Sequence, residues 1–132
     1  MNKETICIGA IGGLTAYIYN LPYELLILWC SLMVLDIITG IIKAAKKGEL
    51  SSSIMKHGLL KKAGELSIMF SLLIIQRVAI ISGIDLPIGN VIVGAFAFKE
   101  MFSIVENYLS MGGKLPNIVA NWLKITKKEL GD

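Results

Sequence analysis

Four long apolar runs constrain the fold of this chain more than any other feature. They cover residues 5–21, 25–42, 66–84 and 86–105. At a rise of about 1.5 Å per residue, helices of such lengths cross most or all of a hydrocarbon core that is roughly 30 Å thick. Backbone groups in lipid must be hydrogen-bonded within their own segment, and the alternating pattern of a membrane barrel is absent. The runs therefore predict an all-α integral membrane protein.

The composition agrees with lipid as the main solvent. Charged residues make up 17% of the chain and the mean hydropathy is +0.69, whereas soluble domains carry about a quarter charged residues. No basic block contains the aromatic residues typical of nucleic-acid binding. Cys7 and Cys30 lie inside apolar runs, and His57 has no cluster of potential ligands around it. We therefore expect no disulfide, metal or cofactor.

Enzyme signatures are also missing from the sequence. Ser53 and Lys56 spell S-x-x-K, but nothing else of that catalytic set is present, and neither a phosphate-binding loop nor a nucleophile elbow occurs. The sequence therefore predicts a protein that is not an enzyme.

The connections between the runs predict how the helices are joined. Short breaks at residues 20–24 and 82–87, each containing a proline, indicate two helical hairpins. The connection between the hairpins, residues 43–63, is long and basic. Within it Gly48 suits a helix C-cap and Ser51 suits the following N-cap. We expect about four transmembrane helices in a single transmembrane domain spanning residues 1–132.

The end of the chain, residues 114–132, is predicted to be a cytoplasmic or interfacial tail. After Pro116, asparagines and lysines fall on one helical face and apolar residues, including Trp122, fall on the other. An amphipathic helix of this kind lies in the membrane interface, so membrane lipid is an expected partner.

The basic residues predict the orientation in the membrane. With four spans, eleven of the 13 basic residues fall on one side: Lys3, six lysines in 43–63 and four in 114–132. The two short turns contain none. The positive-inside rule then gives a multi-pass protein of the bacterial cytoplasmic membrane, with residues 43–63 as a cytoplasmic basic loop and both termini inside. A three-span alternative, in which residues 5–21 lie on the outer surface, stays open.

Ionisable groups inside the runs are the best indicators of mechanism, because each costs about 2.5–3.5 kcal/mol at the centre of a membrane helix. These residues are Asp36, Arg77, Lys99 and Glu100. Arg77 is close enough to the outer end of its run to reach the interface. Asp36 and Lys99 have similar predicted depths, and we expect them to pair.

A polar stripe follows one side of the fourth run, and its members are Glu100, Ser103, Glu106 and Asn107. Two interpretations stay open. Either the helix end packs on the basic connection, with Glu106 near Lys46 or Lys62, or the stripe is a wet face that lines a pore or an oligomer interface. Gly9 and Gly13 form a G-x-x-x-G pair, a candidate helix-packing face.

Two blocks of sequence resemble a known family. The first comprises Asp36, Thr39, Gly40 and Lys43, followed by serines 51–53, Gly58, Lys61 and Lys62. The second has the pattern E-x-x-S-x-x-E-N from Glu100 to Asn107, followed by Gly113, Leu115 and Pro116. In order and spacing, residues 35–123 are similar to the phage lysis and toxin-secretion holins.

This resemblance implies a non-enzymatic homo-oligomer of the cytoplasmic membrane that opens pores or lesions. An endolysin or a toxin would leave the cell through them without binding tightly. Arg77 is not part of the resemblance. The residues that it covers are structural or assembly candidates, namely Asp36, Gly40, Lys61, Lys62, Glu100, Ser103, Glu106 and Asn107. The residues alone also permit a small ion-coupled transporter or channel using Asp36, Lys99 and Glu100, or a scaffold that recruits a cytosolic partner.

Overall fold

The computed structural model describes residues 2–19, 23–86 and 88–129. Within these ranges the chain forms α1 (Lys3–Tyr19), α2 (Tyr23–Lys47), α3 (Ser52–Ile81), α4 (Gly89–Ser110) and α5 (Asn117–Glu129). The all-α prediction and the predicted C-terminal helix are confirmed. The prolines expected to break the hairpins, Pro22 and Pro87, lie outside the described residues.

The turn between α2 and α3 has the predicted capping residues at its two ends. Gly48 ends α2 with a φ of 69°, which glycine adopts readily. The Glu49 amide donates to the Ala44 carbonyl at 2.9 Å, and Ser51 Oγ accepts from the Ile54 amide at 3.2 Å. Both predicted caps are confirmed.

Residues 43–63 are consequently helical apart from a four-residue turn at 48–51. Sequence analysis treats this segment as a basic loop, but its lysines extend α2 at one end and begin α3 at the other. The charges sit on helical extensions of the apolar runs. That this segment faces the cytoplasm stays a prediction.

Two helices of the described chain, α2 and α3, are long and apolar enough to cross a membrane. With 25 and 30 residues they are about 37 and 45 Å long, more than the roughly 30 Å of a hydrocarbon core. Helix α1 has only 17 residues, and α4 carries Lys99, Glu100 and Glu106. Four spans therefore stay a proposal.

A small apolar core forms where α2, α3 and α4 meet. Its buried members are Trp29, Met33, Met69, Leu73 and Val93. The Trp29 ring meets the Phe96 ring edge to face, with centroids 6.0 Å apart. Helices α2 and α4 form the closest pair and run in the same direction, because contacts along α2 follow the order of their partners along α4.

Most of the large apolar side chains of α2 and α3 point outward. Examples are Ile27, Val34, Ile74 and Ile75, all more than half exposed. So much apolar surface on a small chain is typical of a protein that contacts lipid or further copies of itself.

The predicted packing face of α1 is open. The side chains of residues 3–13 are exposed, and a Cβ added at Gly9 or Gly13 would meet no atom within 4 Å. That Gly9 and Gly13 pack against helices of other chains therefore stays a prediction.

In α5 the Leu123 side chain is buried, while Ile118 is 80% exposed.

Candidate functional site: a charge cluster between three helices

Five charged side chains from three helices meet next to the apolar core. This charge cluster comprises Asp36 of α2, Lys62 and Glu65 of α3, and Lys99 and Glu100 of α4. The Glu100 side chain is fully buried. The Asp36, Lys62 and Glu65 side chains are 10–13% exposed, and that of Lys99 is 49% exposed. The cluster thus extends from the protein interior to its surface at Lys99.

The two lysines and two glutamates form a ring of alternating charge. Lys62 Nζ bonds to Glu100 Oε2 and lies 3.6 Å from Glu65 Oε2. On the other side, Lys99 Nζ bonds to Glu65 Oε1 and lies 3.5 Å from Glu100 Oε1. Each carboxylate therefore faces both ammonium groups. Asp36 joins the ring from outside, with Oδ2 at 2.8 Å from Lys62 Nζ.

The α2–α3 hairpin explains why Asp36 meets Lys62. Asp36 lies 11 residues before the end of α2 at Lys47, and Lys62 lies 10 residues after the start of α3 at Ser52. At about 1.5 Å per residue, both positions are roughly 16 Å from the turn. Antiparallel helices joined by so short a turn place these two side chains at the same depth.

Asn107 of α4 completes the hydrogen bonding of Asp36. Its side-chain amide donates to Asp36 Oδ1 at 3.2 Å and to Thr39 Oγ1 at 3.1 Å, and Asn107 is 6% exposed. The Thr39 hydroxyl in turn donates to the Asp36 backbone carbonyl. Gly40 lies beside this amide, since a Cβ there would be 3.8 Å from Asn107 Nδ2. A buried carboxylate needs such donors, because an unpaired one is strongly destabilising.

A further contact fixes the ends of the parallel helices. Lys46 Nζ, near the end of α2, donates to the Met111 carbonyl just after α4. A lysine at this position satisfies one of the carbonyls left free at a helix C-terminus and complements the helix dipole. This contact ties the end of α4 to the α2–α3 turn.

A cavity of about 440 Å³ lies between α2, α3 and α4. The polar and charged residues that line it are Asp36, Lys43, Glu49, Lys62, Ser103 and Asn107. The remaining lining is mostly apolar and includes Ile37, Ile41, Ile54 and Leu59. No three His, Cys, Asp or Glu side chains of the described residues are arranged to hold a metal ion.

The structure brings together most of the residues that sequence analysis singles out. Asp36, Gly40, Lys99, Glu100, Ser103 and Asn107 all belong to the charge cluster or to the adjoining cavity. The predicted pairing of Asp36 with Lys99 is wrong. Asp36 binds Lys62, because both lie at the same distance from the α2–α3 turn, and Lys99 binds Glu65 and Glu100 instead.

The other candidates lie apart from the cluster. Arg77 is half-buried on α3, about 18 Å along the helix from Glu65. Glu106 is exposed and forms no hydrogen bond or ion pair within the described residues, so it contacts neither Lys46 nor Lys62. Of the polar stripe, Glu100 and Asn107 have partners in the same chain.

The sequence indicates Lys62 only as a structural or assembly candidate and as a possible partner of Glu106, and it does not indicate Glu65 at all. The third apolar run begins at residue 66, so Lys62 is assigned to the basic connection and Glu65 to neither segment. Two signals could have identified them. Lys62 and Glu65 have the i,i+3 spacing of neighbours on a helix surface. Lys62 also lies about as many residues after the capped turn as Asp36 lies before it.

Comparison with known proteins identifies the family. The profile of the bacteriophage holin family matches residues 13–128, which include every residue of the charge cluster. The chain belongs to the bacteriophage holin family. This confirms the resemblance found in the sequence, and members of the holin family are typically not enzymes.

Two proteins from Listeria species are similar to this chain. The uncharacterized protein Lin0175 of Listeria innocua is 27% identical over 92% of this chain and 84% of its own length. The uncharacterized protein Lmo0128 of Listeria monocytogenes is 26% identical over the same shares. No solved structure matches the chain.

Proposed function

We propose that this protein is a holin that oligomerises in the bacterial cytoplasmic membrane and opens lesions. A cell-wall hydrolase, or a toxin, would leave the cell through them, and release of the hydrolase would trigger lysis. The observation that carries the proposal is the holin-family match across residues 13–128. The outward apolar surface of α2 and α3 supports it, since that surface suits both lipid and neighbouring copies.

The proposal includes a topology of four spans with both termini inside. The lysine asymmetry of the sequence supports it. Reporters fused after residues 21, 48, 85 and 132 test it. The reporters after 48 and 132 should be cytoplasmic and those after 21 and 85 external. An external reporter after 48 or 132 contradicts the orientation, and failure of the reporter after 21 to appear outside favours three spans.

Release of a folded protein distinguishes the proposed function from its rivals. Expression is induced in a bacterium carrying a cytosolic reporter protein, and membrane potential and reporter release are followed together. A holin collapses the potential and releases the folded reporter. An ion-coupled transporter or channel changes the potential without releasing protein, and a scaffold does neither. Either of the last two results rejects the proposal.

Glu106 is the member of the polar stripe best placed to contact another copy. Glu100 and Asn107 are buried against their own chain, whereas Glu106 is exposed on α4. In an assembly, water in a lesion or a neighbouring subunit would solvate its carboxylate. Glu106→Leu makes the helix more apolar, so it should insert normally yet shift crosslinked species toward monomer and block lysis.

Glu106→Gln is the matched control for this experiment, because it keeps the shape and the hydrogen bonding of the side chain. Its effect should be milder than that of leucine. Lysis on the normal schedule by Glu106→Leu, with unchanged crosslinked oligomers, would show that Glu106 has no part in assembly.

A further inference from the structure

The charge cluster lacks one positive charge. Its fully ionised form has three carboxylates and two ammonium groups among the described residues, which leaves a net charge of −1. Lys43 and Glu49, which also line the adjoining cavity, offset each other, and Asn107 contributes only a dipole. An uncompensated charge that is largely removed from water is unfavourable, and a proton is the smallest ligand that removes it.

One oxygen of the cluster indicates where a proton would bind. Glu65 Oε2 is buried and forms no hydrogen bond, with Lys62 Nζ 3.6 Å away. The Glu100 carboxylate is fully buried and faces the same two ammonium groups as Glu65. One proton between these carboxyls neutralises the cluster and supplies an O–H donor for the unpartnered oxygen. Neighbouring carboxyls that share a proton in this way titrate as a pair.

We propose that Glu65 and Glu100 form a proton-binding site that holds one proton between them at neutral pH. Asp36 stays ionised, because Lys62 and Asn107 donate to its two oxygens. The cavity beside Asp36 and Lys62 reaches the edge of the site. The site is a property of the folded chain and does not depend on lesion formation.

Infrared spectroscopy of the purified full-length chain in lipid bilayers tests the proposal. A protonated carboxyl has a carbonyl stretch well separated from those of carboxylates and amides. The wild-type chain should show this band at neutral pH, and isotopic labelling of the glutamate carboxyls should shift it. Glu106→Gln is the control and should keep the band, because Glu106 lies outside the cluster.

Three variants should abolish the band. Glu65→Gln, Glu100→Gln and Asp36→Asn each leave two carboxylates facing two ammonium groups, so no proton is needed for neutrality. Lys62→Met acts in the opposite direction. It raises the charge deficit by one and should increase the band about twofold, because a second carboxyl must take up a proton.

Circular dichroism identifies the variants that keep the wild-type helix content. Because three different variants neutralise the cluster, the test can still be made if one of them fails to fold. The proposal is overturned by a wild-type chain that lacks the band. It is equally overturned by a band that glutamate labelling does not shift, or by one that persists in a neutralising variant with wild-type helix content.

Discussion

Lys62 Nζ on α3 lies 2.8 Å from Asp36 Oδ2 on α2, and both side chains are nearly buried. The contact joins two helices that otherwise touch little, and the cavity lies beside it. A single ammonium group here binds carboxylates from both neighbouring helices, because Lys62 also binds Glu100 of α4. Lys62 therefore links α2, α3 and α4.

The first prediction concerns the coupling between Asp36 and Lys62. Lys62→Met leaves the Asp36 carboxylate without its ion partner, and Asp36→Asn replaces a nearly buried ion pair with a weaker neutral contact. Each should therefore destabilise the bundle, and the double variant should lose less than their sum. We expect a coupling of about 1–3 kcal/mol in thermal or denaturant unfolding of the reconstituted protein. The cycle of Asp36 with Lys99 is the control and should show a smaller coupling, since those two are not in contact. Equal coupling in both cycles would contradict the structure.

Asn107 gives a second prediction. Asn107→Asp places a carboxylate where an amide now donates to Asp36 and Thr39, so like charges meet at a buried position. The variant should accumulate poorly in the membrane, and Asn107→Leu should cost about 1–3 kcal/mol through the lost donor. Asn90→Asp is the matched control at an exposed position on the same helix. Similar membrane levels for the two aspartate variants, measured by immunoblotting, would argue against the contact.

The turn after α4 provides a third prediction. A Cβ at Gly113 would overlap the ring of Tyr108, whose hydroxyl lies 3.5 Å from the Lys114 carbonyl. Gly113→Ala should therefore lower the melting temperature, because the tyrosine must leave its position. Gly94→Ala, where a Cβ meets nothing within 4 Å, should be neutral or stabilise α4 by about 0.5–1 kcal/mol.

Tyr108→Ala makes a second control for the same prediction. With the ring removed, Gly113→Ala should have little further effect on the melting temperature. A full effect of Gly113→Ala in that background would show that the ring is not the cause.

The open face of α1 gives a fourth prediction. A Cβ added at Gly9 or Gly13 meets no atom within 4 Å, so Gly9→Leu and Gly13→Leu should keep helix content and membrane insertion unchanged. If α1 packs closely against other copies, both substitutions should reduce crosslinked oligomers and delay lysis. Ile8→Leu, at an exposed position on the same helix, is the control. Normal oligomers in both glycine variants would exclude this face from assembly.

The helices and their caps were accessible to sequence reasoning because they depend on local chemistry. The apolar runs gave the helices, and Gly48 and Ser51 gave the sharp turn between α2 and α3. Asp36 and Glu100 could be selected because ionisable groups within apolar runs need a reason to be there. Asn107 could be selected because it continues the polar stripe that begins at Glu100.

The partners of these groups were not accessible, because they depend on where each helix begins. A hydropathy pattern begins the third run only after the last charged residue, which placed Lys62 in a loop and Glu65 outside the run, although α3 begins at Ser52. Glu106 and the glycines of α1 present a different difficulty. Within the part of the chain that the structure describes, the Glu106 side chain and the space beside Gly9 and Gly13 meet no partner. Their interactions are therefore not specified by the contacts of a single chain.

The burial of Glu100 limits how α4 turns about its own axis. Turning this helix enough to bring Glu100 to the surface breaks its contact with Lys62. With α4 in the bilayer, as proposed above, the turn also exposes an ionisable group to hydrocarbon, at a cost of about 2.5–3.5 kcal/mol for a charged side chain on insertion scales. An isolated chain would then favour one rotational setting of α4 by about a hundred to one. This preference changes only where water or a group from another chain meets the carboxyl group, so the rotation of α4 depends on its neighbours in the membrane.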